Sequence, residues 1–155
     1  LCFVNAHGAN PGALELVARD SRDAPGVFAV SVPAPTLPLP ERLLAAMPRP
    51  ELDVHAGFYE TSLLLAIAPD SVHLELAAAD GLERAAALDA ASRSPLVGVF
   101  GGVPVPWRTS DVSASGTIGD PTGASAQWGS DALDAQGEAL AEVLAGVARL
   151  RRQMP

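Results

Sequence analysis

Apolar and polar positions along the chain fall into blocks that read as short buried strands separated by helices. Leu1 to Asn5 is a continuous apolar run of the kind found in parallel sheets covered on both faces. It runs into Asn5-Ala6-His7-Gly8-Ala9-Asn10-Pro11, a loop of small and polar residues at the strand's carboxyl end. In open α/β sheets that end is where sites form. A helix over 11–22 follows, with Asn10 as N-cap and Pro11 at its first position. Leu14, Leu16, Val17 and Ala13 form its inner face. Pro25-Gly26 then turns the chain into a second apolar strand, Val27 to Val32, completing a βαβ unit with the usual right-handed crossover.

Four prolines between Val32 and Pro40 predict an extended, irregular segment. A short helix, Glu41 to Met47, stops at Pro48. Asp53-Val54-His55-Ala56-Gly57 leads into a helix from Phe58 to Ala68, with Glu60 in its first turn and Pro69 as its stop. The run Leu63-Leu64-Leu65-Ala66-Ile67-Ala68 is apolar all round, which predicts burial on most sides. Residues 71–79 fit a strand by the alternation Val72, Leu74, Leu76, but their alanines also allow a helix. A helix over 82–92, a strand from Pro95 to Phe100 broken by Gly101-Gly102, and a Gly/Ser/Thr/Pro loop over 103–119 come next. The longest helix spans Thr122 to Arg151, with Leu133, Leu140, Val143, Leu144, Val147 and Leu150 as its buried stripe. Gly129, Gly137 and Gly146 inside it suit close packing.

Composition narrows the function classes. At 155 residues and 48% hydrophobic content the chain is one domain's worth with material for a core. Ten basic against eighteen acidic residues give a net charge of -8, with basic residues clustered only at 149–152, so nucleic acid is excluded as the expected partner. The single cysteine, Cys2, cannot form an internal disulfide, which fits a reducing cytoplasm. No apolar run reaches membrane-spanning length. Leu1-Cys2-Phe3-Val4 reads as mid-core strand, and domains rarely begin there, so the expectation is a chain lacking its front.

Three loops collect candidate chemistry: Asn5 to Asn10, His55 with Glu60, and Gly116 to Thr122. His7, between asparagines and small residues, suits a metal ligand held by hydrogen bonds from its neighbours, or simply a tight strand-to-helix turn. His55 suits a general acid/base near neutral pH, or an isolated loop histidine. Glu60 suits a metal ligand or water-orienting group, or an ordinary first-turn carboxylate favoured by the helix dipole. An unpaired carboxylate at the half-buried mouth of a helix is costly, which favours a cation beside it. Asp120 reads as the residue before a proline at a helix start, Cys2 as an inert core residue, and Trp128 as packing. His73 reads as unremarkable.

The combination is more telling than its parts. Val4-Asn5-Ala6-His7-Gly8-Ala9-Asn10, His55-Ala56-Gly57-Phe58-Tyr59-Glu60-Thr61-Ser62 and Gly119-Asp120-Pro121-Thr122-Gly123-Ala124 resemble, in order and spacing, the motifs of the creatininase (creatinine amidohydrolase) family. The resemblance spans nearly the whole chain, and the middle motif is the most specific. It implies an α/β fold, three-layer α/β/α with a mostly parallel sheet, as one creatininase-like domain over residues 1–155 without its N-terminal part. It also implies hydrolysis of an amide at two divalent ions (Zn, Mn or Fe), with His7 and Glu60 as metal ligands. His55 and Glu60 would be the catalytic pair, and Asn5, Tyr59 and Trp107 would contact a small-molecule or peptide substrate. Relatives are often homo-oligomers. The Gly-Asp-Pro-Thr-Gly-Ala-Ser wording at 119–125 is nearest the peptidase-like enzymes of mycofactocin maturation.

Departures from the pattern matter too. Ala6 and Ala9 stand where the family turn has glycines, and Ala9 stands where creatinine hydrolases carry a glutamate, which argues against creatinine. The Glu-x-His pair and the aspartate that complete the family's metals have no counterpart before His7. A catalytic metal wants at least three protein donors, so this chain by itself should bind metal poorly. The competing expectation is a non-catalytic relative acting as a binding or scaffold subunit. A Rossmann-like binder ranks last, since no Gly-x-Gly-x-x-Gly follows the first strand.

Overall fold

The computed structural model describes residues 1–99 and 102–154. The chain divides into two compact units, Leu1–Leu39 with Asp134–Pro155, and Pro40–Leu133.

In the first unit, β1 (Cys2–Asn5) and β2 (Val30–Pro33) pair in parallel from Cys2↔Val30 to Asn5↔Pro33, joined through helix α1 (Pro11–Ser21). The predicted βαβ unit is present. Pro11 fills the first helical position, where its missing N–H costs nothing. Asn10 is not a side-chain cap: its backbone is already helical (φ −90°, ψ −15°), so its Nδ2 turns instead to Asn5 Oδ1, 3.3 Å away. The predicted inner face of α1 shifts. Ala18 is buried and Leu14 half-buried, while Leu16 and Val17 lie 62% and 47% exposed. β1 is not covered on both faces, for Val4 is 53% exposed. A strand with one neighbour in a two-stranded sheet has little to cover it.

The second unit holds α2 (Glu41–Leu44), α3 (Phe58–Ile67), α4 (Leu82–Ala91), the parallel pair β3 (Val97–Gly98) and β4 (Val103–Pro104), and α5 (Thr109–Val112). The long helix α6 (Ala126–Arg151) starts here, and its residues from 134 on belong to the first unit. The strand expected over 95–100 is shorter than predicted; Phe100 and Gly101 lie outside the described residues. Residues 71–79 are neither strand nor α-helix. They pass through 3₁₀ turns ending at Ser71 and Leu76, with Leu76 77% exposed, and among the described residues no strand pairs with them.

Two buried groups organise this unit. Buried Phe58, Ser62, Leu43 and Trp128 bring α2, α3 and α6 together. Phe58 and Tyr59 both meet the Trp128 ring edge-on, with centroids 5.1 and 5.9 Å away, and Trp128 Nε1–H donates to Leu43 O at 3.0 Å. Ala85, Val99, Val112 and Ile118 form the second group, with Leu88 and Trp107 packed against it. α3 itself is less buried than predicted: Leu64 and Ile67 are 45% and 65% exposed. In α6 the buried positions are Trp128, Ala132 and Gln136, one helical row, with Gly129 beside them, whereas Leu133, Leu144 and Leu150 of the predicted stripe are exposed. Of its glycines only Gly129 permits a close approach, since a Cβ there would collide with the Ser62 carbonyl; Gly137 faces open space. Among the described residues no helix is long and apolar enough to cross a membrane.

Candidate active site

The Asp53–Glu60 segment is fixed by three sets of backbone and side-chain contacts, all within the second unit. First, it pairs with a strand-like stretch. Val54 and His55 donate their N–H groups to Ile118 O at 2.9 and 3.0 Å, and Ile118 N–H returns to His55 O at 2.7 Å. Ile118 is fully buried, so the backbone of His55 rides on a core residue. Its neighbour Gly119 pairs with Asp80 in turn.

The Asp80 carboxylate then ties the loop before Ile118. It accepts from Ser113 Oγ at 2.7 Å, Ser115 Oγ at 2.6 Å, Ser115 N at 3.0 Å and Gly81 N at 2.7 Å. These bonds, those from the Ser115 hydroxyl first, hold Asp80 far below the usual carboxylate range.

Second, the chain reverses at Ala56, which has φ +51°, a left-handed conformation that costs an alanine roughly 1–2 kcal/mol. The turn is held from the helix side. Ala56 N–H donates to Glu60 Oε2 at 2.6 Å, and Thr61 Oγ1 donates to Ala56 O at 3.4 Å. That places Glu60 Oε2 3.5 Å from His55 Nδ1, with the two side chains 39% and 44% exposed. Imidazole and carboxylate are thus adjacent, half-buried and open to solvent.

Third, Asp53 caps α3. The cap position itself is Gly57, without a side chain, and Asp53 Oδ2 accepts the Tyr59 N–H at 2.7 Å in its place. Its other oxygen fills the space where a Gly57 Cβ would be, and Gly57 lies against Gly119, whose φ of +154° and close backbone contact both require glycine. Burial pushes the Asp53 carboxyl up from 3.8; the Tyr59 amide opposes this, while Glu60 and Asp120 add to it.

His7 and Asn5 sit in the first unit, where Asn5 Nδ2 donates to His7 O at 2.8 Å and Asn5 Oδ1 accepts the His7 N–H at 3.2 Å. Asn5 therefore braces the turn that carries His7, and it is buried. Tyr59 meets the Trp128 ring edge-on. Trp107 lines a hollow of about 560 Å³ with Arg84, Leu88, Val105 and Ser110. Asp120 does not start a helix: its Oδ1 accepts from Thr122 Oγ1 at 2.6 Å and Thr122 N at 3.0 Å, closing a turn before α6 and lowering its own pKa. His73 makes an exposed pair with Glu75 at 3.1 Å. Sequence reasoning missed the cap made by Asp53; the signal was an aspartate four residues ahead of a glycine at a helix start.

As a metal centre the set is incomplete. Among the described residues no three His, Cys, Asp or Glu side chains are grouped to hold an ion. Asp53 and Asp120 spend their oxygens on amides and hydroxyls of their own turns. His55 and Glu60 offer two donors side by side, fewer than a catalytic metal needs.

Parallel strands alternating with helices, and a His–Glu pair where a loop meets a helix, define an α/β protein with groups suited to proton transfer. A model of creatinine amidohydrolases (creatininase) matches residues 1–144, and the chain belongs to the creatininase family. Solved structures with this fold include one from Bacteroides fragilis NCTC 9343 assigned as a creatinine amidohydrolase (21% identity, TM-score 0.69, spanning 96% of this chain and 53% of that one). A creatinine amidohydrolase (creatininase) matches at 23% identity and a TM-score of 0.65 over 94% of this chain and 55% of its own. A manganese creatininase matches at 22% and 0.61 over 100% and 56%. A further creatininase is of a Zn–Zn type. The chain spans about half the length of the solved structures it matches. Comparison with curated protein sequences gives no match.

Proposed function

We propose that residues 1–155 act as one creatininase-like domain in hydrolysis of a C–N amide bond of a small molecule or short peptide. His55 is the proton-transfer residue and Glu60 the group that orients it. The observation that carries this reading is the 3.5 Å approach of His55 Nδ1 to Glu60 Oε2, in a chain of the creatininase family. A carboxylate beside Nδ1 favours the tautomer with the proton there, leaving Nε2 as the base. Nε2 takes a proton from water as its oxygen attacks the amide carbon, then gives it to the nitrogen as the C–N bond breaks. A carboxylic acid and an amine result.

Divalent ions enter from the relatives, as Zn–Zn and Mn forms. In hydrolases of this kind such ions lower the pKa of water and stabilise the oxyanion. His7 and Glu60 are the proposed donors here; a full site needs more than these. Asn5, Tyr59 and Trp107 are proposed substrate contacts, a peptidase-like role of the mycofactocin kind the proposed subgroup, and a cytoplasmic homo-oligomer the proposed state. The incomplete donor set supports a second reading, a non-catalytic binding or scaffold subunit.

Metal analysis of the full-length protein purified without chelator, together with amide hydrolysis by its His55→Ala variant, separates the two. The hydrolase reading expects about two divalent ions per subunit, and loss of turnover in the variant with its metal retained. Absence of metal and of turnover in the wild type defeats it. Loss of metal on replacing His55 would make His55 a ligand instead.

A further inference from the structure

We infer that Asp53 is the positioning residue of this site, aligning Glu60 against His55 through the first turn of α3. The inference deepens the hydrolase reading, since it assigns a role within the same pair.

The geometry is specific. Glu60 lies one residue beyond Tyr59, whose N–H is held by Asp53 Oδ2 at 2.7 Å. Glu60 Oε2 reaches back to the Ala56 N–H at 2.6 Å, so its direction depends on where the helix begins. With glycine at the cap position, the first turn has no side-chain oxygen of its own, and its amides would otherwise be left to water. Asp53 supplies that oxygen from four residues upstream, in space that only glycine at 57 and 119 leaves open. The same residue begins the stretch that pairs with Ile118 and carries His55. One carboxylate therefore sets the separation between the His55 backbone and the Glu60 turn. A cap serving only helix stability would act on α3 alone; this one also governs the left-handed turn at Ala56.

Amide hydrogen exchange distinguishes the two roles without turnover. In Asp53→Ala, exchange at both Tyr59 and Ala56 should accelerate by ~10-fold or more relative to wild type, the loss expected when one hydrogen bond's worth of local order goes. Asp53→Asn keeps an acceptor oxygen and should hold both amides within ~3-fold of wild type by the same measure. If Tyr59 alone accelerates in Asp53→Ala and Ala56 does not move, Asp53 is a cap only and the inference is overturned. It is equally overturned if Asp53→Asn fails to restore Ala56. Should the alanine variant not fold, Asp53→Ser carries the same expectation, its hydroxyl lying one bond short of the Tyr59 amide. Failure of the hydrolase reading would appear in turnover and leave these exchange rates unchanged.

Discussion

Replacing Gly57 with alanine tests whether the site is built by the contact between Asp53 and the backbone of the cap. Gly57 has φ −87° and ψ −153°, which an alanine tolerates, so the backbone itself imposes no strain. The added Cβ instead overlaps the Asp53 carboxylate and comes 3.2 Å from Gly119 Cα. Either the carboxylate swings out, losing a cap worth about 1–2 kcal/mol, or the loop shifts, at about 1–3 kcal/mol for overpacking. Against this, restricting the unfolded chain stabilises by about 0.4–1 kcal/mol. The net is a destabilisation of about 1–2 kcal/mol. In an Asp53→Ala background the main obstacle is gone, and the same substitution should be neutral within about 0.5 kcal/mol or mildly stabilising. Urea unfolding of the four proteins in this double-mutant cycle gives the coupling directly, expected near 1–2 kcal/mol. Equal costs of Gly57→Ala in both backgrounds would refute the reasoning.

Four other substitutions probe packing, a buried hydrogen bond and a carboxylate elsewhere in the molecule. Gly137→Ala in α6 faces open space and should stabilise by about 1 kcal/mol, whereas Gly129→Ala meets the Ser62 carbonyl and should destabilise by about 1–3 kcal/mol in chemical denaturation. Trp128→Phe removes the indole donor to Leu43 O, which keeps the Ala46 N–H at 3.2 Å, so the loss is one net hydrogen bond, about 0.5–1.5 kcal/mol by the same measurement. Asp80 has its pKa lowered from 3.8, so its hydrogen bonds stabilise the fold fully above that value and less as pH falls through the lower folded value. Asp80→Asn should therefore lower the thermal midpoint at pH 7, and the difference from wild type should shrink once pH drops below 3.8.

Much of the backbone order was legible from residues that act locally. Pro11 after a polar loop placed the start of α1, and the apolar runs on either side of it gave the two parallel strands. The His55–Glu60 motif was legible because its spacing wraps around one turn and a helix start. What was not legible depends on distant partners. Nothing near Ile118 announces that it carries the backbone of His55, and Asp53 caps a helix from outside the positions where caps are sought. The exposure of Leu64 and Ile67 was missed for a different reason: a helix that is apolar all round has no preferred face in its sequence. Likewise the alternation at 72–76 suggested a strand while its alanines allowed a helix, and the segment is neither, for a strand exists only where a neighbour supplies hydrogen bonds.

The central claim is that His55 and Glu60 work as a unit, and a kinetic double-mutant cycle tests it most directly. The amide cleaved fastest from a panel of formamides, cyclic amides and short peptides would serve as substrate for metal-loaded wild type, His55→Ala, Glu60→Gln and the double variant. Each single change should lower kcat/KM by about 10²–10⁴-fold, and the double variant should be no worse than the weaker single one within about 3-fold. Losses that multiply in the double variant, or a His55→Ala enzyme as active as wild type, would contradict the account.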